Sequence, residues 1–140
     1  MKQLSDLKPI LTQAGIKPSQ QRLAVVSFLA NNLIHPTVDE IYSGLLPEYP
    51  TMSRTTVYNT VRLLEEADRL EALTLDGDST RYDFNTSPHS HFFCTRCHRV
   101  TDLPMPPVPE APGGFEVQAV QLCYKGICPQ CAAGKNQTIN

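Results

Sequence analysis

The chain has 140 residues, of which 41% are hydrophobic and 19% are charged, so it can form one moderate globular domain or two small ones. Its net charge of −2 argues against an anionic partner that the protein would bind through an overall positive charge alone. A local basic face could still bind phosphates. Its apolar runs are short and its start lacks the apolar core of a signal peptide, so we expect a cytoplasmic protein with no membrane segment. In that compartment, paired cysteines indicate metal ligands rather than disulfides.

Capping and helix-breaking residues predict four helices in the first half of the chain. The first covers residues 4–13. Ser19 caps the second, which ends near Asn32, and Thr37 opens a capping box at the start of the third. Ser53 caps the fourth helix, whose core-facing stripe consists of Val57, Val61 and Leu64.

Polar side chains cover the opposite face of this fourth helix: Arg54, Thr55, Tyr58, Asn59 and Arg62. Such a face, on a helix that follows a tight turn, suits the recognition helix of a helix-turn-helix, although an ordinary solvent-exposed face would look the same. Residues 70–85 then alternate polar and apolar side chains around an Asp76-Gly77 turn, which predicts a β-hairpin. Helices followed by a hairpin are the order of a winged helix.

The second half of the chain has a different composition. Four of the five cysteines occur there in two pairs, beside short β-like runs and a proline-rich stretch, residues 103–114, that cannot form a regular helix. The fifth, Cys123, lies in an apolar run and is expected to be a small buried residue. The change of composition predicts a domain boundary near residues 85–88. The elements on its two sides predict an α+β protein, with a winged-helix domain followed by a small α/β domain.

Two Cys-x-x-Cys pairs mark this second half, Cys94 with Cys97 and Cys128 with Cys131. Each pair places two sulfurs on one tight turn, and two such turns can form the tetrahedral thiolate site of a structural zinc ion. Because His98 follows Cys97, the first pair also matches an attachment site for c-type haem, but that interpretation requires export and leaves the second pair unexplained. A thioredoxin-like redox pair is disfavoured because neither motif is expected to open a helix after a buried strand.

Three histidines and two aspartates form a second candidate metal site: His35, Asp83, His89, His91 and Asp102. His89 and His91 are two residues apart, so in an extended segment both rings leave the same face, as in a chelating pair. Taken singly, each of the five would be expected to be a surface polar group, but together they flank the predicted domain boundary. Such a nitrogen and oxygen set suits Fe(II), Mn(II) or Zn(II), and it lacks the thiolates that would favour zinc.

Six motifs follow one another along the chain: Gly15-Ile-Lys-Pro-Ser-Gln-Gln-Arg22, His35-Pro-Thr-Val-Asp39, Ser53-Arg-Thr-Thr-Val-Tyr58, Arg81-Tyr-Asp-Phe84, His89-Ser-His91 with the first cysteine pair behind it, and Gly126-Ile-Cys-Pro-Gln-Cys131. With these motifs the sequence resembles the ferric uptake regulator (Fur) family of metal-dependent DNA-binding repressors, and within it the peroxide regulator (PerR) branch. The resemblance covers nearly the whole chain.

The resemblance implies a homodimer that binds double-stranded operator DNA, and therefore a regulator rather than an enzyme. Residues 1–86 would form a winged-helix DNA-binding domain, and residues 87–140 a metal-binding dimerisation domain held by structural zinc on the four paired cysteines. The three histidines and two aspartates would hold a regulatory Fe(II) or Mn(II), whose occupancy would set the arrangement of the winged helices. The residues expected to contact DNA are Arg22, Arg54, Thr55, Tyr58, Asn59 and Arg62.

Asp102 favours the peroxide-sensing branch, because iron and zinc sensors of the family more often have Glu at the matching position. In that branch, bound Fe(II) reacts with peroxide and ligating histidines are oxidised; His35 and His89 match these histidines. The alternatives are a sensor of iron, manganese or zinc itself and, outside the family, a metal-storage module or a haem or other redox protein. The sequence departs from the family where residues 103–114 replace a helix and where Ala119 and Val120 stand in a region that has histidine in many relatives.

Overall fold

The computed structural model describes residues 3–32, 35–76 and 79–134, with the backbone alone for residues 75 and 76. It divides into two compact units, Met1–Thr86 and Ser87–Asn140, which we call unit 1 and unit 2. Unit 1 contains four helices and a hairpin, and unit 2 contains a small sheet and a short helix. The α+β class expected from the sequence is therefore confirmed. Within the described ranges, no helix has the length and apolar character needed to cross a membrane.

Four helices make up most of unit 1: α1 Leu4–Gln13, α2 Gln20–Asn31, α3 Val38–Leu45 and α4 Arg54–Glu66. The capping predictions are confirmed. The Ser19 hydroxyl accepts from a backbone N–H in the first turn of α2, and Thr37 and Glu40 form the reciprocal capping box of α3. Ser53 caps α4 in the same way as Ser19 caps α2. Each cap satisfies an N–H group that would otherwise have no partner within its helix, so the helices begin where these polar residues stand.

The apolar faces of the four helices pack around one core. Val57 and Val61 of α4 and Ile41 of α3 are fully buried in it. Burying a side chain of this kind stabilises the fold by about 1.5–3 kcal/mol relative to leaving it in water. Gly44 of α3 permits close packing of Phe28 from α2, because a Cβ at position 44 would lie 2.4 Å from the phenyl ring. The core thereby fixes α4 with its opposite, polar face in solvent.

Two helices of unit 1 end in the same hydrogen-bonded motif but with different residues. After α1, the N–H groups of Gly15 and Ile16 bond to carbonyls of the last turn, and Gly15 has φ 76°. After α4, Asp68 and Arg69 make the corresponding bonds, and Asp68 has φ 58°. This is the Schellman motif, whose left-handed position favours glycine because a Cβ is costly there. Asp68 therefore carries backbone strain that Gly15 avoids.

Replacing Asp68 by Gly should stabilise unit 1 by about 0.5–1 kcal/mol, since glycine removes the left-handed penalty and the change removes a carboxylate from the negative end of the α4 dipole. Thermal unfolding followed by circular dichroism would measure the rise in Tm. The matched control is Gly15→Ala, which should lower Tm because it introduces the same penalty at the end of α1. An Asp68→Gly protein that unfolds at or below the wild-type temperature would contradict this account.

A two-stranded hairpin follows α4. Strand β1, Glu71–Asp76, pairs antiparallel with β2, Ser79–Asp83. The turn predicted at Asp76-Gly77 includes Gly77, which lies outside the described residues. Four helices followed by this hairpin confirm the predicted winged helix.

Three short strands and one turn of helix form unit 2: β3 Ser90–Cys94, β4 Val100–Leu103, β5 Cys123–Gly126 and α5 Pro129–Ala132. Strand β3 is central, antiparallel to β4 and parallel to β5. Residues 104–122, between β4 and β5, form no helix or strand. The prediction that the proline-rich stretch 103–114 forms no regular helix is therefore confirmed. Several apolar side chains of this connection are exposed: Val108, Phe115, Val117 and Val120.

Candidate metal centres and nucleic-acid interface

The four paired cysteines come together beside the sheet of unit 2. Cys94 ends β3 and Cys97 lies in the turn that follows, while Cys128 caps α5 and Cys131 lies within it. The Cys94 and Cys131 sulfurs are 3.8 Å apart, as are those of Cys97 and Cys128, and all four lie within 4.8 Å of one another. Tetrahedral zinc at about 2.3 Å from each sulfur requires sulfur separations of about 3.8 Å, whereas a disulfide requires about 2.05 Å. The quartet therefore fits a structural zinc ion.

Backbone N–H groups point at the sulfurs of this quartet. Those of Cys97 and Cys128 each lie 3.4 Å from Cys94 Sγ, and that of Cys131 lies 3.4 Å from Cys128 Sγ. Burial raises the pKa of the Cys94 thiol, but the N–H groups of Cys97, Cys128 and Arg96 stabilise its thiolate more strongly and lower the pKa to about 5. The pKa of Cys128 is also lowered, chiefly by the N–H of Cys131. Cys94 is thus ionised near neutral pH, as metal ligation requires.

Cys128 caps the single helical turn α5, but the strand before it, β5, contains no buried residue. Neither pair therefore opens a helix after a buried strand, as expected. A thioredoxin-like site gains no support from this helix, because both pairs converge into one cluster of four sulfurs. The same convergence disfavours a haem attached through the first pair alone. Cys123 lies apart in β5 and is partly rather than fully buried, so its expected buried position is met only in part; burial raises the pKa of its thiol.

In unit 1, the predicted ligands His35 and Asp83 lie side by side. His35 Nε2 and Asp83 Oδ2 are 3.5 Å apart, and the two side chains are 7% and 5% exposed. His35 has φ 55°, a left-handed conformation that is uncommon outside glycine and that clusters at functional sites. Two contacts from β2 hold this backbone: Arg81 Nη1 donates to the His35 carbonyl at 3.3 Å, and the Tyr82 N–H donates to the Pro36 carbonyl at 2.9 Å. Unit 1 thus fixes an imidazole before α3 and a carboxylate at the end of β2.

In unit 2, His89 and His91 converge on Asp102. Their Nε2 atoms lie 3.6 Å and 3.5 Å from Asp102 Oδ1, and the two ring centroids are 4.5 Å apart. The sheet register explains this, since His91 of β3 pairs with Asp102 of β4. The Ser87 carbonyl contacts His89 Nδ1 at 2.6 Å and so orients the other ring nitrogen. Ligands about 2.1 Å from a shared ion lie about 3.0–3.5 Å apart, so both groups have spacings suited to metal binding. Each unit thus brings its own predicted ligands together, two in unit 1 and three in unit 2.

The five predicted DNA-contacting residues of α4 are all exposed, on the face opposite the buried Val57 and Val61: Arg54, Thr55, Tyr58, Asn59 and Arg62. A cleft of about 330 Å³ adjoins this face, lined by Tyr58 of α4 together with residues from the start of α3 and from β2. The sixth predicted residue, Arg22, is half-buried on α2. Its Nη1 donates to the Lys17 carbonyl at 2.7 Å and closes the turn between α1 and α2, a structural contact that the sequence did not predict.

Sequence reasoning also missed two residues of α3 that contact the α4 face. Asp39 Oδ1 accepts a hydrogen bond from Arg54 Nε at 2.7 Å, and the Tyr42 ring lies under the Arg54 guanidinium, 4.8 Å from its carbon. The capping box placed Asp39 in the first turn of α3, but no pattern in the sequence connects it with a residue on the next helix. These contacts make Arg54 an ordered part of the surface.

Comparisons with known proteins agree with this geometry. The model of the ferric uptake regulator family matches residues 13–119. The chain is 34% identical to the peroxide operon regulator of Bacillus subtilis over 140 aligned residues, which cover 96% of this chain and 97% of that protein. It is 35% identical to the peroxide-responsive repressor PerR of Staphylococcus aureus over 127 residues, 86% of each protein. Among solved structures, PerR from Streptococcus pyogenes matches with a TM-score of 0.53 at 25% identity, covering 94% of both chains. This chain therefore belongs to the ferric uptake regulator family.

Proposed function

We propose that the protein is a metal-dependent, peroxide-responsive transcriptional repressor that acts as a cytoplasmic homodimer on double-stranded operator DNA. It is a regulator rather than an enzyme. The observation that carries the proposal is the group in unit 2, where two histidines converge on an aspartate, Asp102, rather than on a glutamate. The relatives described as peroxide regulators, at 34–35% identity over most of the chain, support the same assignment.

Two kinds of metal site follow from the donor sets. The four cysteines are assigned to structural zinc, because thiolates in a tetrahedral arrangement favour that ion. His35 and Asp83 of unit 1, with His89, His91 and Asp102 of unit 2, are assigned to one regulatory Fe(II) or Mn(II). The support for this second assignment is the nitrogen and oxygen chemistry of both groups, their close spacing and the family resemblance.

Metal bound by these residues would act directly on the winged helix. His35 lies just before the capped start of α3, and Asp83 ends β2, so an ion on both would hold these two elements together. Ligands contributed by unit 2 would add a tie between the units, and occupancy would then raise the population of the arrangement that binds DNA. Bound Fe(II) would also supply the reaction with peroxide. The role of the protein in this reaction would be to hold His35 and His89 as ligands, close enough to the bound iron to be oxidised.

Full-length protein prepared without oxygen and loaded with Fe(II) should bind DNA and should release that DNA when peroxide is added. The DNA is a set of duplexes selected from a random pool by Mn(II)-loaded protein, and binding is measured by fluorescence anisotropy. Mass spectrometry of the released protein should find one added oxygen on the peptide that holds His35 or His89. The Mn(II)-loaded protein is the control, and its DNA binding should resist the same dose of peroxide.

The competing function is a sensor of iron, manganese or zinc itself, which the same nitrogen and oxygen donors would also serve. For that function, DNA affinity should follow the concentration of one metal and change little with peroxide. Unmodified histidines after complete release of DNA would exclude the oxidation mechanism. Protein that binds no duplex with any metal would exclude both functions.

A further inference from the structure

Arg54, on the exposed face of α4, is held by contacts with a neighbouring helix. Its Nε donates to Asp39 Oδ1 at 2.7 Å, and its guanidinium stacks over the Tyr42 ring at 4.8 Å. Both partners belong to α3, so the contacts join two helices that the core already fixes. Arg62, by comparison, pairs with Glu66 on its own helix. A side chain restrained in this way loses less conformational freedom when it binds a ligand.

The contacts also decide which part of Arg54 remains for a ligand. The Asp39 carboxylate accepts a hydrogen bond from Nε, and the Tyr42 ring covers one face of the guanidinium. Among the described residues, no protein acceptor is bonded to the two Nη groups. The side chain is still 65% exposed. Two parallel donors at the Nη end of a guanidinium match the O6 and N7 acceptors of guanine in the major groove.

Position and charge favour a base over a phosphate as the partner of Arg54. Arg54 is the first residue of α4, and the N-terminal residues of a recognition helix contact base edges. The Asp39 carboxylate places a negative charge beside the guanidinium. This negative charge repels a phosphate but not the neutral edge of a base. If Arg54 served only to bind phosphate, this orientation would give no advantage. The nearby carboxylate would also weaken the attraction between the guanidinium and the phosphate.

We propose that Arg54 reads a guanine in each half of the operator and that Asp39 and Tyr42 are the positioning residues that aim it. The inference rests on the proposed function, since it requires that α4 enter the major groove. It adds to that function a named base preference and the residues that produce it.

The test is a selection of duplexes from a random pool by Mn(II)-loaded wild-type protein and by the Arg54→Ala, Arg54→Lys and Asp39→Asn variants. Wild type should prefer guanine at one position in each half-site, and both Arg54 variants should lose that preference by on the order of 10- to 100-fold while keeping the others. Arg54→Lys keeps the positive charge but lacks the two parallel donors of the guanidinium, so its affinity for unrelated duplexes should stay near wild type. Asp39→Asn should weaken the preference at the same position without loss of zinc.

Chemical substitution of the base gives an independent readout. Replacing the selected guanine by 7-deazaguanine removes N7 and should weaken wild type about tenfold, while Arg54→Ala should not respond. Tyr42→Phe should keep the preference and Tyr42→Leu should reduce it, because the phenylalanine preserves the ring. If Arg54→Ala weakens all duplexes equally and reduces the salt dependence, Arg54 contacts phosphate and the inference is wrong. Unchanged selection by Arg54→Ala also overturns it, whereas failure of wild type to select any duplex overturns the proposed function itself.

Discussion

Replacing Cys94 by Ser should release the structural zinc and unfold most of unit 2. One buried cluster of that unit consists of Cys94, Cys128 and Cys131, with Phe92 packed against it. We expect packing around these cysteines to depend on the ion, because zinc bound at structural sites supplies about 10–16 kcal/mol of folding free energy. Zinc content by mass spectrometry should fall below one ion per chain. Backbone NMR should show loss of dispersed signals from unit 2 while those of unit 1 persist.

Cys123→Ser is the matched control for this experiment. It makes the same chemical change in the same unit, but Cys123 lies in β5 and is not one of the four clustered sulfurs. We therefore expect one zinc per chain and an intact sheet. A Cys94→Ser protein that keeps its zinc and its sheet would show that the quartet is not the zinc site. Equal loss of zinc in both variants would indicate a general effect of cysteine replacement on folding.

The sequence predicts the helices of unit 1 well because their determinants are local. A hydroxyl at Ser19, Thr37 or Ser53 acts on an N–H group three residues away, so position along the chain is sufficient to place a helix start. Helix ends are harder when the residue is not glycine. A glycine at position 15 predicts a left-handed turn. Asp68 adopts the same conformation without that indication, where its N–H and that of Arg69 bond to carbonyls in the last turn of α4.

Residues that meet across elements are less accessible to sequence reasoning. The spacing of His89 and His91 predicts that their rings share a face, but their convergence on Asp102 depends on the register between β3 and β4. The sequence of β3, Ser-His-Phe-Phe-Cys, has no alternation of polar and apolar residues from which that register could be predicted. The contact of Arg54 with Asp39 is of the same kind, because it depends on how α3 and α4 pack. Family resemblance supplies candidate metal ligands, but a contact between two helices such as this one requires coordinates.

Replacing His91 by Ala should abolish metal-activated DNA binding while leaving the zinc quartet intact. His91 is 2% exposed, and its Nε2 lies 3.5 Å from Asp102 Oδ1, so its loss would remove one donor from the proposed regulatory site. Loss of a residue that merely supports a metal ligand costs 10- to 100-fold in affinity, so loss of a ligand itself should weaken Mn(II) binding by more than about 100-fold. Mn(II) titration by calorimetry and DNA binding at a fixed Mn(II) concentration would measure the two effects.

His98→Ala is the control that separates ligand loss from any general effect of removing a histidine. His98 is exposed and lies next to Cys97, near the zinc quartet rather than in the group around Asp102. We expect it to bind Mn(II) and DNA like wild type. Because His91 is buried on the central strand, its replacement could also disturb the sheet, so zinc content decides the interpretation. A His91→Ala protein with one zinc per chain and wild-type affinity for Mn(II) would remove His91 from the regulatory site. Loss of Mn(II) binding with zinc retained would instead establish that the two metals act independently, one in the scaffold and one in regulation.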